Sequence, residues 1–254
     1  MASILNVDGL SIAVRTHMVM QNVHFRLEPG EAILLSGANG IGKSMLLKAI
    51  MRLEENGKSI KGSIKYKGFG EILSLDGEDL QKYRSSVAYI QQKDEYSELG
   101  NVRVRDIISD SSQSFSGKPL NYSEVNDLID EWIPRKSDNS RVFDAKSKPI
   151  RFSGGEQRLL SVLSVIATRL AAELLIIDEP LNNLDFVNAR NISNLVNRVM
   201  KQNPRMGLLM ISHCRIFPFI SREIELTQEG IKPVQDLYTC HSCFGHPDEN
   251  GYFS

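Results

Sequence analysis

The sequence predicts an α/β fold: a parallel sheet flanked by helices, an antiparallel β part near the N-terminus and an inserted helical subdomain. Three observations predict it. A glycine-rich loop, Gly37-Ala38-Asn39-Gly40-Ile41-Gly42-Lys43-Ser44, stands between a short apolar run and a helix-forming stretch without breakers. Further on, the apolar runs Leu174-Leu175-Ile176-Ile177 and Gly207-Leu208-Leu209-Met210-Ile211 alternate with helical segments, as parallel strands with crossover helices do. Between these halves, residues 93–150 turn polar and are punctuated by Pro119, Pro134 and Pro149.

Taken in order, residues 2–36 read as β-rich. Strand-like runs cover 4–7, 10–14 and 22–27, and Pro29-Gly30 turns the chain into a buried strand at 32–36. The helix after the glycine-rich loop is followed by an alternating, exposed strand at 62–68. Another strand at 86–90 runs into Gln91-Gln92. In the polar region, 104–108 and 124–133 read as helical and the serine-rich 109–116 as loop. A helix is expected over 156–172, a strand ending in Asp178-Glu179-Pro180, a helix over 186–200 and a strand ending in Ser212-His213. The expected division is therefore 1–92, the β-rich part with the phosphate-loop half of the core; 93–150, the helical subdomain, its continuation reaching about 172; 151–232, the second half of the core; and 233–254, a tail.

Composition narrows the partners. The chain has 254 residues, 41% hydrophobic and 24% charged, enough to bury a substantial core. Lys and Arg number 30 against 31 Asp and Glu, so no global basic excess points to nucleic acid, and none is expected as a partner. The N-terminus lacks a basic stretch followed by an apolar core, so no secretory signal is expected. No apolar run approaches the ~18 residues of a spanning helix. Membrane work would need another chain to span. Three cysteines do not make a disulfide scaffold.

The chemistry starts at the loop, which fits G-x-x-x-x-G-K-[ST] at every fixed position. Glycines let the backbone aim successive N–H groups at an anion, and the following helix adds the positive end of its dipole. Lys43 brings a full charge to β- and γ-phosphates, and the Ser44 hydroxyl suits Mg²⁺. Gly37, Ala38, Asn39, Gly40, Ile41, Gly42, Lys43, Ser44 and Met45 are thus candidate nucleotide contacts. At the end of a buried strand, Asp178 can hold Mg²⁺, directly or through water, and Glu179 can take a proton from the attacking water. Phe152-Ser153-Gly154-Gly155-Glu156-Gln157 has two readings. Ser153-x-x-Glu156 is a capping box. Ser-Gly-Gly at a helix N-terminus is also an anion site, and since one loop already wraps the phosphates, it would serve those held by a second copy.

These motifs together resemble the ATP-binding cassette family of ABC-type ATPases. The resemblance runs over about residues 3–232. It rests on the phosphate loop, Gln92 in the Tyr-x-x-Gln pattern, Phe-Ser-Gly-Gly-Glu as the signature, Asp-Glu-Pro, Leu181-Asn182-Asn183-Leu184-Asp185 at the D-loop, and His213 at the switch histidine. It implies a P-loop NTPase core in which two cassettes pair head to tail around two ATP. Ser153, Gly154 and Gly155, with Glu156 beside them, would meet the γ-phosphate in trans. Gln92 would touch Mg²⁺ or the water, so Ser44, Gln92 and Asp178 form the implied metal set. Glu179, His213 and Gln92 form the implied catalytic set, and Asp185 would bridge the two sites. The chain departs from the family pattern at the base-stacking aromatic, where Val14 stands; stacking is then weak or falls to Arg15 or His17. Glu156 replaces the more usual Gln.

The family resemblance implies Mg²⁺-dependent ATP hydrolysis driving a transporter through a separate transmembrane subunit, on the cytoplasmic face of a membrane. The alternative is a soluble ABC ATPase for assembly or repair, similar to the iron–sulfur assembly ATPase. The tail stands outside this pattern. Cys240, Cys243 and His246, with His241, Asp248 or a partner residue as a fourth ligand, suit Zn²⁺; the competing reading is a plain tail with reactive thiols. Cys214 reads as a buried apolar filler.

Overall fold

The computed structural model describes residues 2–53, 57–92, 100–182, 184–213 and 217–235. The tail cysteines and histidines, Cys214 and Asn183 lie outside these residues. β1 (Leu5–Val14) and β2 (His17–Leu27) form an antiparallel hairpin. The two short runs read at 4–7 and 10–14 are one strand, its register shifting between Val7 and Leu10, where Gly9 takes φ 59°. β3 (Ala32–Ser36) then enters the second sheet, and α1 (Lys43–Ile50) follows the glycine-rich loop.

β4 (Lys58–Tyr66) and the two-residue β5 (Gly70–Glu71) return to the first sheet, giving the order β2-β1-β4-β5, all antiparallel. α2 (Gly77–Ser86), which the sequence reading did not mark, leads into β6 (Val87–Ile90). α3 (Val104–Ser116) and α4 (Tyr122–Trp132) follow. The serine-rich 109–116 segment, expected as loop, is the second half of α3. Two of its serines bond the turn that follows the helix: Ser112 Oγ donates to Lys118 O at 2.8 Å, and Ser109 Oγ accepts from Leu120 N at 2.9 Å.

α5 (Gly154–Ile166) ends earlier than expected, and β7 (Leu174–Asp178), α6 (Phe186–Gln202) and β8 (Gly207–Ile211) follow. β9 (Arg222–Thr227) and β10 (Gly230–Pro233) form an antiparallel hairpin, the last of the described elements, which the sequence pattern does not mark. The second sheet has the order β10-β9-β3-β8-β7-β6, with β9, β3, β8, β7 and β6 parallel.

The parallel sheet divides two apolar cores. In β7, Leu174 and Ile176 face Leu46 and Leu47 of α1 and the antiparallel sheet, whereas Leu175 and Ile177 face the helical side with Ile108, Leu159 and Ile192. A period of two thus lets one continuous apolar run serve both cores, as a strand covered on both faces requires. On the helical side, the Arg198 guanidinium lies 4.2 Å from the centre of the Trp132 ring and bonds Glu131 Oε1 at 2.8 Å, tying α6 to α4.

Candidate active site

The parallel strands β3, β7 and β8 end on one side of the sheet, and the candidate residues follow those ends. After β3, the glycine-rich loop is held from both sides. Gly37 has φ 134°, and a Cβ there would stand 2.5 Å from Leu226 O of β9. Gly42 has φ 104°, and a Cβ would meet Val19 and Met20 of β2 at 2.7 Å. Only glycine fits either place. Lys43 is buried, and its Nζ donates to the carbonyls of Gly37 at 2.8 Å and Ala38 at 3.2 Å, so its charge sits inside the curve of the loop.

A pocket of about 450 Å³ opens over this loop, lined on one side by Asn39, Gly40, Gly42, Lys43, Ser44 and Met45. Its other wall is Gln92, Glu179, Asn182, Ile211 and His213. Ser44 Oγ donates to Asp178 Oδ1 at 3.2 Å across 134 residues of sequence. His213 Nε2 lies 3.1 Å from Glu179 Oε1. Both carboxylates are buried, and burial pushes the ionisation of each above the usual carboxylate range. The Ser44 hydroxyl opposes that shift at Asp178, and His213 opposes it at Glu179. Ser44, Asp178 and Gln92 offer hydroxyl, carboxylate and amide oxygen, hard donors that fit Mg²⁺. Among the described residues no group of three or more His, Cys, Asp or Glu is placed to hold a metal by itself.

Glu179 shows a feature that no sequence pattern announces. Its backbone is left-handed, φ 48°, although it is not glycine. Its N–H donates to Ile211 O at 3.0 Å.

The signature residues stand apart from this pocket. Ser153 caps α5: its Oγ accepts from Glu156 N at 3.2 Å, and Glu156 Oε2 accepts from Ser153 N at 3.0 Å. The capping reading is therefore realised. Gly154 has open space where a Cβ would be. Gly155 does not: a Cβ would stand 2.8 Å from Asn188 Cγ. Asn188 is itself tied to Asp185, through Nδ2 to Oδ2 at 2.6 Å and through its backbone N–H to Oδ1 at 2.9 Å. Those hydrogen bonds hold the Asp185 carboxyl below the usual range. At the expected base site, Val14 pairs with His17 at the tip of the β1–β2 hairpin, and Arg15 between them takes φ 54°.

With the site in place, comparison with known proteins decides the family. A family model described as ABC transporter matches residues 20–182. The chain belongs to the ABC transporter family. It is an ATP-binding cassette of that family, and this favours the transporter-driving reading over a soluble assembly ATPase. It is 25% identical over 245 residues to the manganese transport system ATP-binding protein MntB of Halalkalibacterium halodurans, covering 94% of this chain and 90% of that one. It is 26% identical to the oligopeptide transport ATP-binding protein OppF of Streptococcus mutans, covering 90% and 70%. Among solved structures, an ATP-binding subunit of an ABC transporter superposes with a TM-score of 0.71 at 22% identity, covering 91% of this chain and 90% of that one. The dimeric bacterial ABC transporter cassette MJ0796 gives 0.74 at 16% identity, covering 93% and 100%. These likenesses establish the cassette fold. Among the described residues, no helix is long and apolar enough to cross a membrane.

Proposed function

We propose that the cassette hydrolyses Mg²⁺-ATP at the pocket between the glycine-rich loop and the ends of β7 and β8, and that two copies pair head to tail to do so. The observation that carries this reading is the convergence of Ser44, Gln92, Asp178, Glu179 and His213 on one pocket, from segments far apart in sequence. The loop N–H groups and Lys43 hold the phosphates. Glu179 accepts a proton from the water that attacks the γ-phosphorus; the bond to the β,γ-bridging oxygen breaks, and ADP leaves with that electron pair. Its raised ionisation range makes it a better proton acceptor than a solvated carboxylate. His213, 3.1 Å from Glu179, orients the carboxylate and the γ-phosphate. Mg²⁺ held by Ser44, Asp178 and Gln92 would neutralise charge on the phosphates.

Ser153, Gly154 and Gly155 complete the site of the opposite copy, and Asp185 lies where the two sites communicate. The relatives named for manganese and oligopeptide transport work as ATP-binding proteins of transport systems. By the same logic this cassette drives a separate transmembrane subunit from the cytoplasmic face of a membrane. The Glu179→Gln variant tests the chemistry: turnover is abolished while ATP binding persists, and wild-type hydrolysis would remove Glu179 from its role. Recovery of that ATP-trapped form from its native cells with a stoichiometric polytopic membrane protein tests the coupling.

A further inference from the structure

Arg158 lies in the second turn of α5, and only 6% of it is exposed. Its guanidinium spreads over carbonyls from two strand ends. Nε donates to Pro180 O at 3.2 Å. Nη2 donates to Asp178 O at 3.1 Å and Glu179 O at 3.2 Å. Nη1 donates to Gln91 O, beside Gln92. These segments are 20 to 67 residues away in sequence. A planar fork with five N–H groups can reach several carbonyls at once, which a lysine ammonium on its single point cannot reproduce.

The carbonyls it holds flank Glu179, which among the described pocket residues is the non-glycine one with a left-handed backbone. A non-glycine residue in that region is strained and persists only where its surroundings fix it. At Glu179, β8 accepts the N–H at Ile211 O, Arg158 donates to the carbonyls of 178, 179 and 180, and the Asn182 N–H adds a longer bond to Glu179 O at 3.5 Å. Released from β8 or from Arg158, the peptide would relax toward the right-handed or extended region, and the carboxylate would swing away from His213.

We infer that Arg158 is a positioning residue: it locks the backbone of Glu179 so that its carboxylate meets the reacting water, and it ties that lock to the signature helix and to the strand end preceding Gln92. The inference rests on Glu179 being the proton acceptor. It gives α5 a second task. The helix whose first residues face a second copy also carries, one turn later, the side chain that sets the catalytic backbone of its own copy.

The test compares Arg158→Lys, Arg158→Ala and wild type as full-length protein, measuring MgATP binding directly, then kcat and KM separately. Arg158→Lys is expected to bind MgATP within about twofold of wild type and to lose roughly 10-fold or more in kcat, the scale of a small misplacement of a reacting group. Methylguanidine added to Arg158→Ala is expected to restore part of kcat without changing ATP affinity. A purely structural arginine would instead lower the folded fraction and ATP binding together, with kcat per bound ATP unchanged and no rescue by methylguanidine. That outcome, or kcat within twofold of wild type in Arg158→Lys, overturns the inference. Should Arg158→Ala fail to fold, the kcat and KM of Arg158→Lys still decide. Glu179→Gln run in parallel separates the two claims: if it stays active, the reading of Glu179 fails, and with it the premise used here.

Discussion

The two helix starts that the sequence marks for phosphate are built differently. At the phosphate loop, Gly37 and Gly42 are wedged against β9 and β2, Lys43 is drawn into the loop's curve, and polar groups from three strand ends face one pocket. At the start of α5, Ser153 spends its hydroxyl on its own helix, Gly154 borders open space, and Gly155 is pressed by Asn188. The first end is a finished half-site within one chain. The second is a finished helix cap that offers outward whatever its own chain does not use. The loop's worth should therefore be visible in a single copy, and the signature's worth only when two copies meet.

The variants that break or sharpen this contrast run from large effects to small. Lys43→Ala should weaken ATP binding by a single chain by roughly 10- to 100-fold, the worth of a charged hydrogen bond to an anion, as read by nucleotide titration. Retained affinity would mean that the loop amides suffice. Gly155→Val should push Asn188 off Asp185 and lower turnover roughly 10-fold or more, while single-chain ATP affinity stays within about twofold. Equal losses in both would erase the distinction between the ends. Gly154→Ala, placed in open space, should leave the unfolding temperature unchanged; a loss of turnover there, measured beside the single-chain affinity, would mark a contact made in trans.

Ser153→Ala removes a cap worth about 1 kcal/mol and should lower the unfolding temperature by roughly 2–4 °C. The smallest effect is a gain. Burial raises the ionisation of Glu179, so the folded chain binds more protons than the unfolded one between the ordinary carboxylate value and the raised one. Stability contributed by the protonated form is present at low pH and is lost as pH climbs through that window. Glu179→Gln should accordingly melt higher than wild type in nucleotide-free buffer at neutral pH, with the gain vanishing at or below about pH 4.

What was legible in the sequence follows the same division. The phosphate loop, the Asp178-Glu179 strand end and the Ser153-Gly154-Gly155 helix start could be read because their chemistry rests on local spacing. The resemblance to the cassette family placed Gln92 and His213. The serine-rich half of α3 could not be read, since a serine counts as a loop former until its hydroxyl is seen bonded to the turn at 118–120. The tie from Gly155 through Asn188 to Asp185 is equally hidden, since the sequence offers the glycine no task beyond close approach to an anion. Arg158 gave no signal at all. An arginine beside a capping box reads as solvated, and only the folded chain brings the carbonyls of Gln91 and Asp178 to the same guanidinium.

The alternation in β7 has a consequence for how faults would spread. Ile176 and Ile177 are adjacent, both fully buried, and belong to different cores. Trimming Ile176 would soften the floor under α1 and the phosphate loop; trimming Ile177 would loosen the packing of α5 and α6. The same strand carries the acidic pair at its tip, so either fault arrives at one address by two routes. Neighbouring lesions of equal size would cripple the same reaction and yet fail differently, the first in holding the nucleotide, the second in answering its twin.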